Sequence, residues 1–264
     1  MELENTAEKS KDLLKDLLQF LSLHSRDGDA ISNGRDGFVL IYARQIHELT
    51  EDVLNLEDQK RTHATPLLVR GMLESLFILG AATHEISFAG EKVVFDIEQT
   101  AKYAGRDAKK ATSQTLKDYL HSQISQCEEI ARDLRERLQI KHKLSWSPVD
   151  CAEKSGLFRQ YAIDYAIYSA ATHGELFSVI LAQNQRSSVH IFRTITFACL
   201  EAVRFVLSVF HLDVTNRFED RRKALLAELL KLERDGKLKQ LYAAGLSGQP
   251  TIVRNRKTGG LQKN

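Results

Sequence analysis

The spacing of apolar residues along the chain predicts helices almost throughout. Residues 7–24 carry a leucine stripe at helical spacing, and a second apolar pattern runs over about 38–58. Further patterns predict helices near 90–104, 113–142, 157–183, 187–212 and 215–244. No convincing strand alternation or internal repeat accompanies them. The pattern therefore predicts an all-α protein, an irregular multi-helix bundle of about seven to nine helices.

Breaks in this pattern divide the chain. The glycine-rich segment 26–37 predicts a loop, and Ser147 with Pro148 predicts the start of a short helix after the break at 143–147. Residues 247–264 are basic and rich in glycine, which predicts a disordered tail. We therefore expect an N-terminal helix and loop over 1–36, a helical core domain over 37–212, and a C-terminal helix over 213–246 that packs on the core.

Composition and charge are those of an ordinary soluble protein. Hydrophobic residues make up 43% of the chain and charged residues 27%, and the formal net charge is +2. So small a net charge excludes the strong basic field of many nucleic-acid-binding domains. The N-terminus lacks the apolar stretch of a signal peptide, and the most membrane-like segment, 191–212, contains Arg193, Glu201 and Arg204. The sequence therefore predicts a cytoplasmic protein without a membrane span.

The residues that hold metals and cofactors do not occur in recognisable patterns. Cys127, Cys151 and Cys199 lie far apart without metal-ligand spacing, which indicates reduced thiols that behave as small buried hydrophobes. Phosphate-binding glycine loops and the zinc-protease histidine motif are missing as well. The sequence therefore predicts no cofactor and no metal site.

Two opposite charges interrupt the most apolar helix, which is predicted to begin with Thr65 as N-cap and Pro66 in its first turn. Arg70 and Glu74 lie four residues apart, so they share one face of this helix. Apolar side chains surround them in sequence, and we therefore expect the pair to be largely buried. A buried pair needs further hydrogen bonds, and the loss of one charge alone then costs several kcal/mol.

The predicted helix 157–183 supplies candidate partners for these charges. Polar side chains recur there every four residues: Tyr161, Tyr165, Ser169 and His173. We expect Arg70 and Glu74 to contact Ser169 or His173 across the two helices. Such a cluster is either a structural clamp that fixes the register of two helices or a functional site.

Two segments, LLVRGMLESLFILGAA and YAIYSAATHG, resemble a known family. A helix with Arg and Glu four residues apart, followed by a helix with Ser and His four apart, resembles the pattern of the bacterial family known as domain of unknown function 5677. The resemblance covers about residues 38–212 and rests on Arg70, Glu74, Ser169 and His173. It implies an all-helical bacterial protein akin to helical defence and toxin proteins, and it implies no particular reaction.

Other arginines form patterns that are less specific. Helical ribonucleases of the HEPN type carry an arginine and, a few residues later, a histidine. Arg135 and Arg137 stand in this relation to His142, and Arg204 does so to His211, but such matches are expected by chance in a chain with 9 histidines. Glu201 and Arg204 also repeat the charged pair, and Arg193 is predicted to join them.

Two functions fit these residues. In the first, the protein is an interaction, adaptor or sensor protein of a bacterial defence or stress system. It binds a protein partner or forms a homo-oligomer, and its polar cluster only specifies packing. In the second, it is a metal-independent ribonuclease, because RNA brings its own nucleophile, the 2′-hydroxyl. His173 then moves the proton and Arg70 stabilises the phosphate. The candidate catalytic residues are Arg70, Glu74, Tyr165, Ser169 and His173.

Overall fold

Helices make up most of the described chain. Our computed structural model describes residues 2–24, 34–60, 64–172, 188–210 and 215–234. In chain order the helices are α1 (Glu2–His24), α2 (Gly34–Asp58), α3 (Thr65–His84), α4 (Phe88–Lys110), α5 (Gln114–Arg137), α6 (Pro148–Lys154), α7 (Phe158–Gln160), α8 (Ala166–Thr172), α9 (Ser188–Val209) and α10 (Thr215–Arg234). A π-helical turn, Tyr161–Tyr165, joins α7 to α8 without a break. With that continuous helix counted once, these ranges contain nine helices and no strand, which confirms the all-α prediction.

Several helix ends differ from the prediction, because local backbone geometry decides them. α2 begins at Gly34, inside the segment predicted to be a loop. α5 ends at Arg137 rather than near 142, because Gln139 adopts a left-handed conformation with φ of 55°. The Ile140 N–H then donates to the Arg135 carbonyl at 2.9 Å, which closes the helix end. A non-glycine residue at this φ stores backbone strain.

The helix start predicted at Ser147 is confirmed, and the prediction of Thr65 as an N-cap is wrong. The Ser147 hydroxyl accepts a hydrogen bond from the Asp150 N–H, and the Asp150 carboxylate accepts one from the Ser147 N–H, so the pair caps α6 reciprocally. Thr65 is instead already helical, and Ala64 precedes it at the N-cap position. The Thr65 hydroxyl donates to the Glu57 carboxylate at 3.2 Å and so ties α3 to α2.

α3 is the central helix of the core. It packs against α2, α6, α8 and α9. Its fully buried side chains include Val69, Met72, Leu73, Leu76 and Phe77. Full burial of such a side chain contributes about 1.5–3 kcal/mol, so α3 alone supplies a large share of the hydrophobic stabilisation. The prediction that this helix is largely buried is confirmed.

The apolar composition of α3 follows from this central position. Among the described residues, α3 is the one helix long and apolar enough to cross a membrane. Within the protein, however, 67% of that apolar stretch is buried against other helices. The core helix of a soluble protein has the same composition, so this feature is weak evidence for a membrane span.

α9 packs against helices from both the N-terminal and the C-terminal parts of the chain. It contacts α1, α2, α3 and α10. Leu13 and Leu17 of α1 and Phe218 of α10 belong to the same buried cluster as the α3 side chains. The domain boundaries expected at 36/37 and 212/213 stay predictions. Residues 26–33 of the expected loop and the expected tail, 247–264, lie outside the described residues.

α4 and α5 form an antiparallel hairpin at the edge of the molecule. α5 packs on α4, and Ala131 is the buried residue of α5. The Arg135 guanidinium donates to both carboxylate oxygens of Glu98, at 2.5 and 3.1 Å, and links the two helices. The hairpin and its flanks expose large apolar side chains, namely Ile86, Val93, Tyr103, Leu116, Tyr119, Ile130 and Leu138. These side chains are available for contacts with other molecules.

Candidate functional site

Arg70 and Glu74 of α3 meet the helix that follows the π turn. The Arg70 Nε donates to Glu74 Oε1 at 3.1 Å and to the Tyr165 hydroxyl at 3.3 Å, and its Nη1 donates to Thr172 Oγ1 at 2.8 Å. The Tyr165 hydroxyl donates to Glu74 Oε1 at 2.6 Å. The Thr172 hydroxyl donates to the Ser169 carbonyl at 2.7 Å. We call these four side chains, Arg70, Glu74, Tyr165 and Thr172, the clamp.

The clamp contains some of the predicted site residues and replaces others. The two helices do meet, but Arg70 and Glu74 reach Tyr165 and Thr172 rather than the predicted Ser169. Ser169 contributes its backbone carbonyl rather than its hydroxyl, and His173 lies outside the described residues. Residues four apart drift about 40° around an α-helix with each step, whereas residues seven apart return to within about 20°. Thr172 follows Tyr165 by seven positions and therefore faces α3 where Ser169 was expected.

Solvent reaches the clamp, which corrects the expectation of a largely buried ion pair. The Arg70 side chain is 25% exposed and that of Glu74 is 34% exposed. The Tyr165 phenol beneath them is buried, and burial, together with its hydrogen bond to Glu74, raises the pKa of Tyr165. The phenol is therefore protonated at neutral pH and acts as a hydrogen-bond donor. The cost of several kcal/mol expected for one stranded buried charge does not apply to this half-exposed pair.

The π turn sets where its side chains lie. The Ala166 N–H donates to the Tyr161 carbonyl five residues earlier, so this turn holds one more residue than an α-helical turn. The rings of Tyr161 and Tyr165 stack with centroids 5.1 Å apart, and both pack edge-on against Phe77. The neighbouring residues Asp164 and Tyr165 thereby contact different helices, Tyr165 against α3 and Asp164 against α9.

A second polar cluster forms around Asp164. Its Oδ1 lies 3.5 Å from His190 Nε2 and 3.5 Å from Arg193 Nη1. Arg193 Nε donates to Glu233 Oε1 of α10 at 2.7 Å. Burial lowers the pKa of His190 to about 4, so its imidazole is neutral at pH 7. Burial also raises the pKa of Asp164, against the opposing charge of Arg193.

Sequence reasoning missed this cluster and misplaced Arg193. Arg193 was expected to join Glu201 and Arg204, but those two pair with each other at 2.6 Å, and Arg193 pairs with Asp164 and Glu233. One signal was present in the sequence, since Asp164 is a lone carboxylate between apolar and aromatic neighbours. The cleft beside Asp164 and Arg193 measures about 190 Å³, below the usual range of small-ligand sites.

The arginines that precede a histidine at the ribonuclease-like spacing, Arg135, Arg137 and Arg204, each form an ion pair with a carboxylate. Arg135 pairs with Glu98 and donates to the carbonyls of Ile140 and His142 at 3.3 and 3.0 Å. Arg137 pairs with Asp133, and Arg204 pairs with Glu201. His211 lies outside the described residues. These contacts support a role in holding helix ends and favour no phosphate site.

The described residues contain no group of three or more His, Cys, Asp or Glu side chains placed to hold a metal ion. The thiols Cys151 and Cys199 are buried as expected, and Cys127 is half-buried. Burial raises the pKa of Cys151 to about 11 and that of Cys199 to about 12. Both buried thiols are therefore protonated at neutral pH and are poor nucleophiles.

An open apolar groove lies between α2, α4 and α5, and we call it the apolar groove. Its volume is about 640 Å³. Ten residues line it: Gly34, Arg35, Phe38, Ile86, Ser87, Ala89, Gly90, Val93, Leu134 and Leu138. Ile86 is 76% exposed and Leu138 is 48% exposed, so the rim of the groove is apolar and faces solvent. Such a surface is typical of sites that bind other proteins.

Comparison of the chain with protein-family models, with curated proteins and with solved structures finds no significant match. The resemblance to the bacterial helical family therefore stays a prediction. We therefore infer function from the clamp and the apolar groove.

Proposed function

We propose that the protein is a non-catalytic interaction protein that binds an acidic, amphipathic helix of a partner protein in the apolar groove. The single observation that carries this proposal is the apolar rim that Ile86 and Leu138 expose to solvent. An amphipathic helix buries its apolar face in such a groove and leaves its polar face in water. The groove and its rim lie between α2, α4 and α5, and the clamp lies between α3 and α8.

The rim of the groove is held in place before any partner binds. Leu138 lies over Gly90, where a Cβ atom would come within 2.8 Å of its Cδ1. Arg135 holds the chain just beyond Leu138 through the carbonyls of Ile140 and His142. A rim fixed in this way loses little conformational entropy on binding, which favours affinity.

Charge around the groove supports an acidic partner. Arg35 lines the groove and donates to the carbonyls of Ala82 and Thr83 at 2.9 and 2.5 Å. Carbonyl oxygens carry no net charge, so these hydrogen bonds do not neutralise the positive charge of Arg35. The segment after Leu138 adds the exposed Lys141 and Lys143. Acidic residues on a bound helix would meet these positive charges and gain in association rate and specificity.

The clamp supports a structural role for three of the predicted catalytic residues, Arg70, Glu74 and Tyr165. Arg70, Glu74, Tyr165 and Thr172 bond to one another, and the buried phenol is a donor rather than a base. Such mutual bonding fixes the register of α3 against α8. The ribonuclease stays the alternative function, because Arg70 and Glu74 reach solvent. The bacterial defence or stress setting and the cytosolic location also stay predictions.

Peptide binding tests the proposal. Three labelled helical peptides share one apolar face and carry acidic, neutral or basic polar faces, and fluorescence anisotropy measures their affinity. We expect the acidic peptide to bind about tenfold or more tightly than the basic one, a difference of about 1.4 kcal/mol. Rising salt should narrow this difference.

Variants locate the binding site. Ile86→Gln and Leu138→Gln should each weaken binding of the acidic peptide. Leu67→Gln is the matched control, since Leu67 is 59% exposed but lies at the other end of α3. Equal affinity for all three peptides, or unchanged binding after both groove replacements, would contradict the proposal. Metal-independent cleavage of RNA by the purified protein, tested with EDTA, would instead support the ribonuclease.

A further inference from the structure

A face of α5 next to the one that packs on α4 carries a second stripe of residues at coiled-coil spacing. The face toward α4 consists of Lys117, Leu120, Ile124, Cys127, Ala131 and Leu134, which are all partly or fully buried and lie alternately three and four residues apart. A second stripe with the same spacing lies one residue earlier, about 100° around the helix from the first: Leu116, Tyr119, Gln123, Gln126 and Ile130. Within it Leu116 is 47% exposed, Tyr119 60% and Ile130 49%. We call this stripe the α5 seam.

The seam matches itself when two copies of α5 run in opposite directions. In an antiparallel pair of identical helices, residue numbers rise along one helix and fall along the other. The two residues that face each other in any layer therefore have the same sum of residue numbers. Pairing Gln123 with Gln126 of the second copy places Tyr119 against Ile130 on both sides of this centre, and Leu116 beyond them lies against Asp133. Within one chain the Gln123 amide already donates to Gln126 Oε1 at 3.3 Å, and each amide keeps a further donor and acceptor for the glutamine of the second copy. An aromatic ring against a β-branched side chain flanks the polar centre on either side.

The flanking positions fit the same arrangement. Thr115, Ser122, Glu129 and Glu136 recur every seven residues along one edge of the seam. In the antiparallel pair, the Ser122 hydroxyl faces Glu129 of the second copy, and Thr115 faces Glu136. Hydroxyl groups donate hydrogen bonds to carboxylates, and no two carboxylates of this edge lie opposite each other.

We infer that two copies of this protein associate through the α5 seam as a twofold dimer, in which the two α4–α5 hairpins form a four-helix bundle. A second copy is the occupant because one sequence supplies both halves of each layer. α5 packs on α4, and Leu116, Tyr119 and Ile130 of the seam are exposed, so a second hairpin can reach them. The seam has two apolar layers and a polar centre, so the dimer should be weak and dependent on concentration.

Molar mass measured by light scattering over a concentration series tests the inference. We expect the mass to rise toward twice the 29.9 kDa of one chain. Tyr119→Lys combined with Ile130→Lys places lysine against lysine and should keep the mass at 29.9 kDa at the same concentrations. Ile41→Lys is the matched control, since Ile41 of α2 is 62% exposed and lies off the seam. Circular dichroism confirms that each variant is folded.

Disulfide trapping tests the direction of the helices. Gln123→Cys and Gln126→Cys are prepared separately in a Cys127→Ser background, labelled with tags of different size, mixed and oxidised. The antiparallel dimer predicts a disulfide between the two different variants, because residue 123 of one copy faces residue 126 of the other. A monomer at every concentration overturns the inference. A dimer that survives the double lysine variant, or disulfides within each variant alone, overturns it as well.

Discussion

A buried phenol that donates to a half-exposed carboxylate is the central contact of the clamp. The Tyr165 hydroxyl bonds to Glu74 at 2.6 Å and accepts from Arg70 at 3.3 Å. Burial of the ring removes water as an alternative partner for the hydroxyl. The specificity of the α3–α8 contact therefore depends on this hydroxyl more than on the Arg70–Glu74 charge pair, which solvent screens.

Removal of the Tyr165 hydroxyl should therefore destabilise the fold. Tyr165→Phe keeps the stacking ring and is expected to lower the free energy of unfolding by about 1.5–3 kcal/mol, the typical range for a hydrogen bond to a charged group. Urea denaturation measures it. Tyr161→Phe is the matched control, since the described residues offer the Tyr161 hydroxyl no hydrogen bond, and it should change little. Equal losses for the two variants would show that ring packing, not the hydroxyl, holds the clamp.

Protonation of His190 should make stability depend on pH. The unfolded chain binds this proton near pH 6.5, whereas burial lowers the pKa in the folded protein to about 4. The unfolded state therefore holds more protons between these values, and stability falls as pH is lowered through that window. The full shift corresponds to about 3 kcal/mol. The positive charge of Arg193 also disfavours protonation of His190 in the folded protein. The raised pKa of Asp164 has the opposite effect on stability at the acid end, because the folded protein takes up that proton more readily than the unfolded chain.

Unfolding measured by urea at a series of pH values from 4 to 8 tests this dependence. His190→Gln removes the titrating group and should flatten the part of the curve between pH 4 and 6.5. A curve for His190→Gln that keeps the full slope of the parent protein would assign the dependence to other groups.

At the scale of helices, close contact depends on where α3 carries glycine. A Cβ atom added at Gly80 would lie 2.5 Å from Ser155 Cβ and 2.6 Å from Phe205 Cζ. Neither neighbour can yield easily, because Ser155 and Phe205 are both buried. At Gly71 the nearest atom is Leu49 Cδ1 at 3.7 Å, an ordinary contact. Gly80 therefore lets α6 and α9 approach α3, and Gly71 has no such role.

The two glycines should respond oppositely to alanine. Gly80→Ala is expected to destabilise by about 1–3 kcal/mol through overpacking, despite the better helix propensity of alanine. Gly71→Ala should stabilise by about 0.5–1 kcal/mol, because alanine restricts the unfolded chain and meets no clash. Thermal or urea unfolding of the two variants checks this. A stabilised Gly80→Ala protein would mean that α6 and α9 can move away without cost.

The helices could be predicted from the sequence, and the partners of the clamp only in part. Each helix buries a stripe of apolar residues, and such stripes are visible in the chain. Arg70, Glu74 and Tyr165 stood out as polar groups within those stripes. The π turn is set by the packing of Tyr161 and Tyr165 around Phe77, a tertiary contact that periodicity does not carry. Thr172 and Asp164 depend on that turn, so their contacts could not be predicted.

At the scale of the whole molecule, stability should be uneven. α3 and α9 are surrounded by other helices, while Ala131 is the buried residue of α5. Amides of α3 and α9 should exchange with solvent only when the whole protein unfolds, whereas those of α5 should exchange through local opening of the hairpin. Hydrogen exchange measured by mass spectrometry tests this. Slow exchange of α5 in dilute solution, equal to that of α3, would contradict it.

The number of residues between Phe158 and Ala166 would show how related chains differ here. The π turn holds one residue more than an α-helical turn, which corresponds to a one-residue insertion in a helix. A related chain without that residue would align here with a single gap. Its helix would rotate by about 100° beyond the gap, and it could not direct an aspartate to α9 and the next tyrosine to α3. The presence or absence of this one residue, rather than the identity of any side chain, would distinguish related proteins that form both polar clusters from those that form only one.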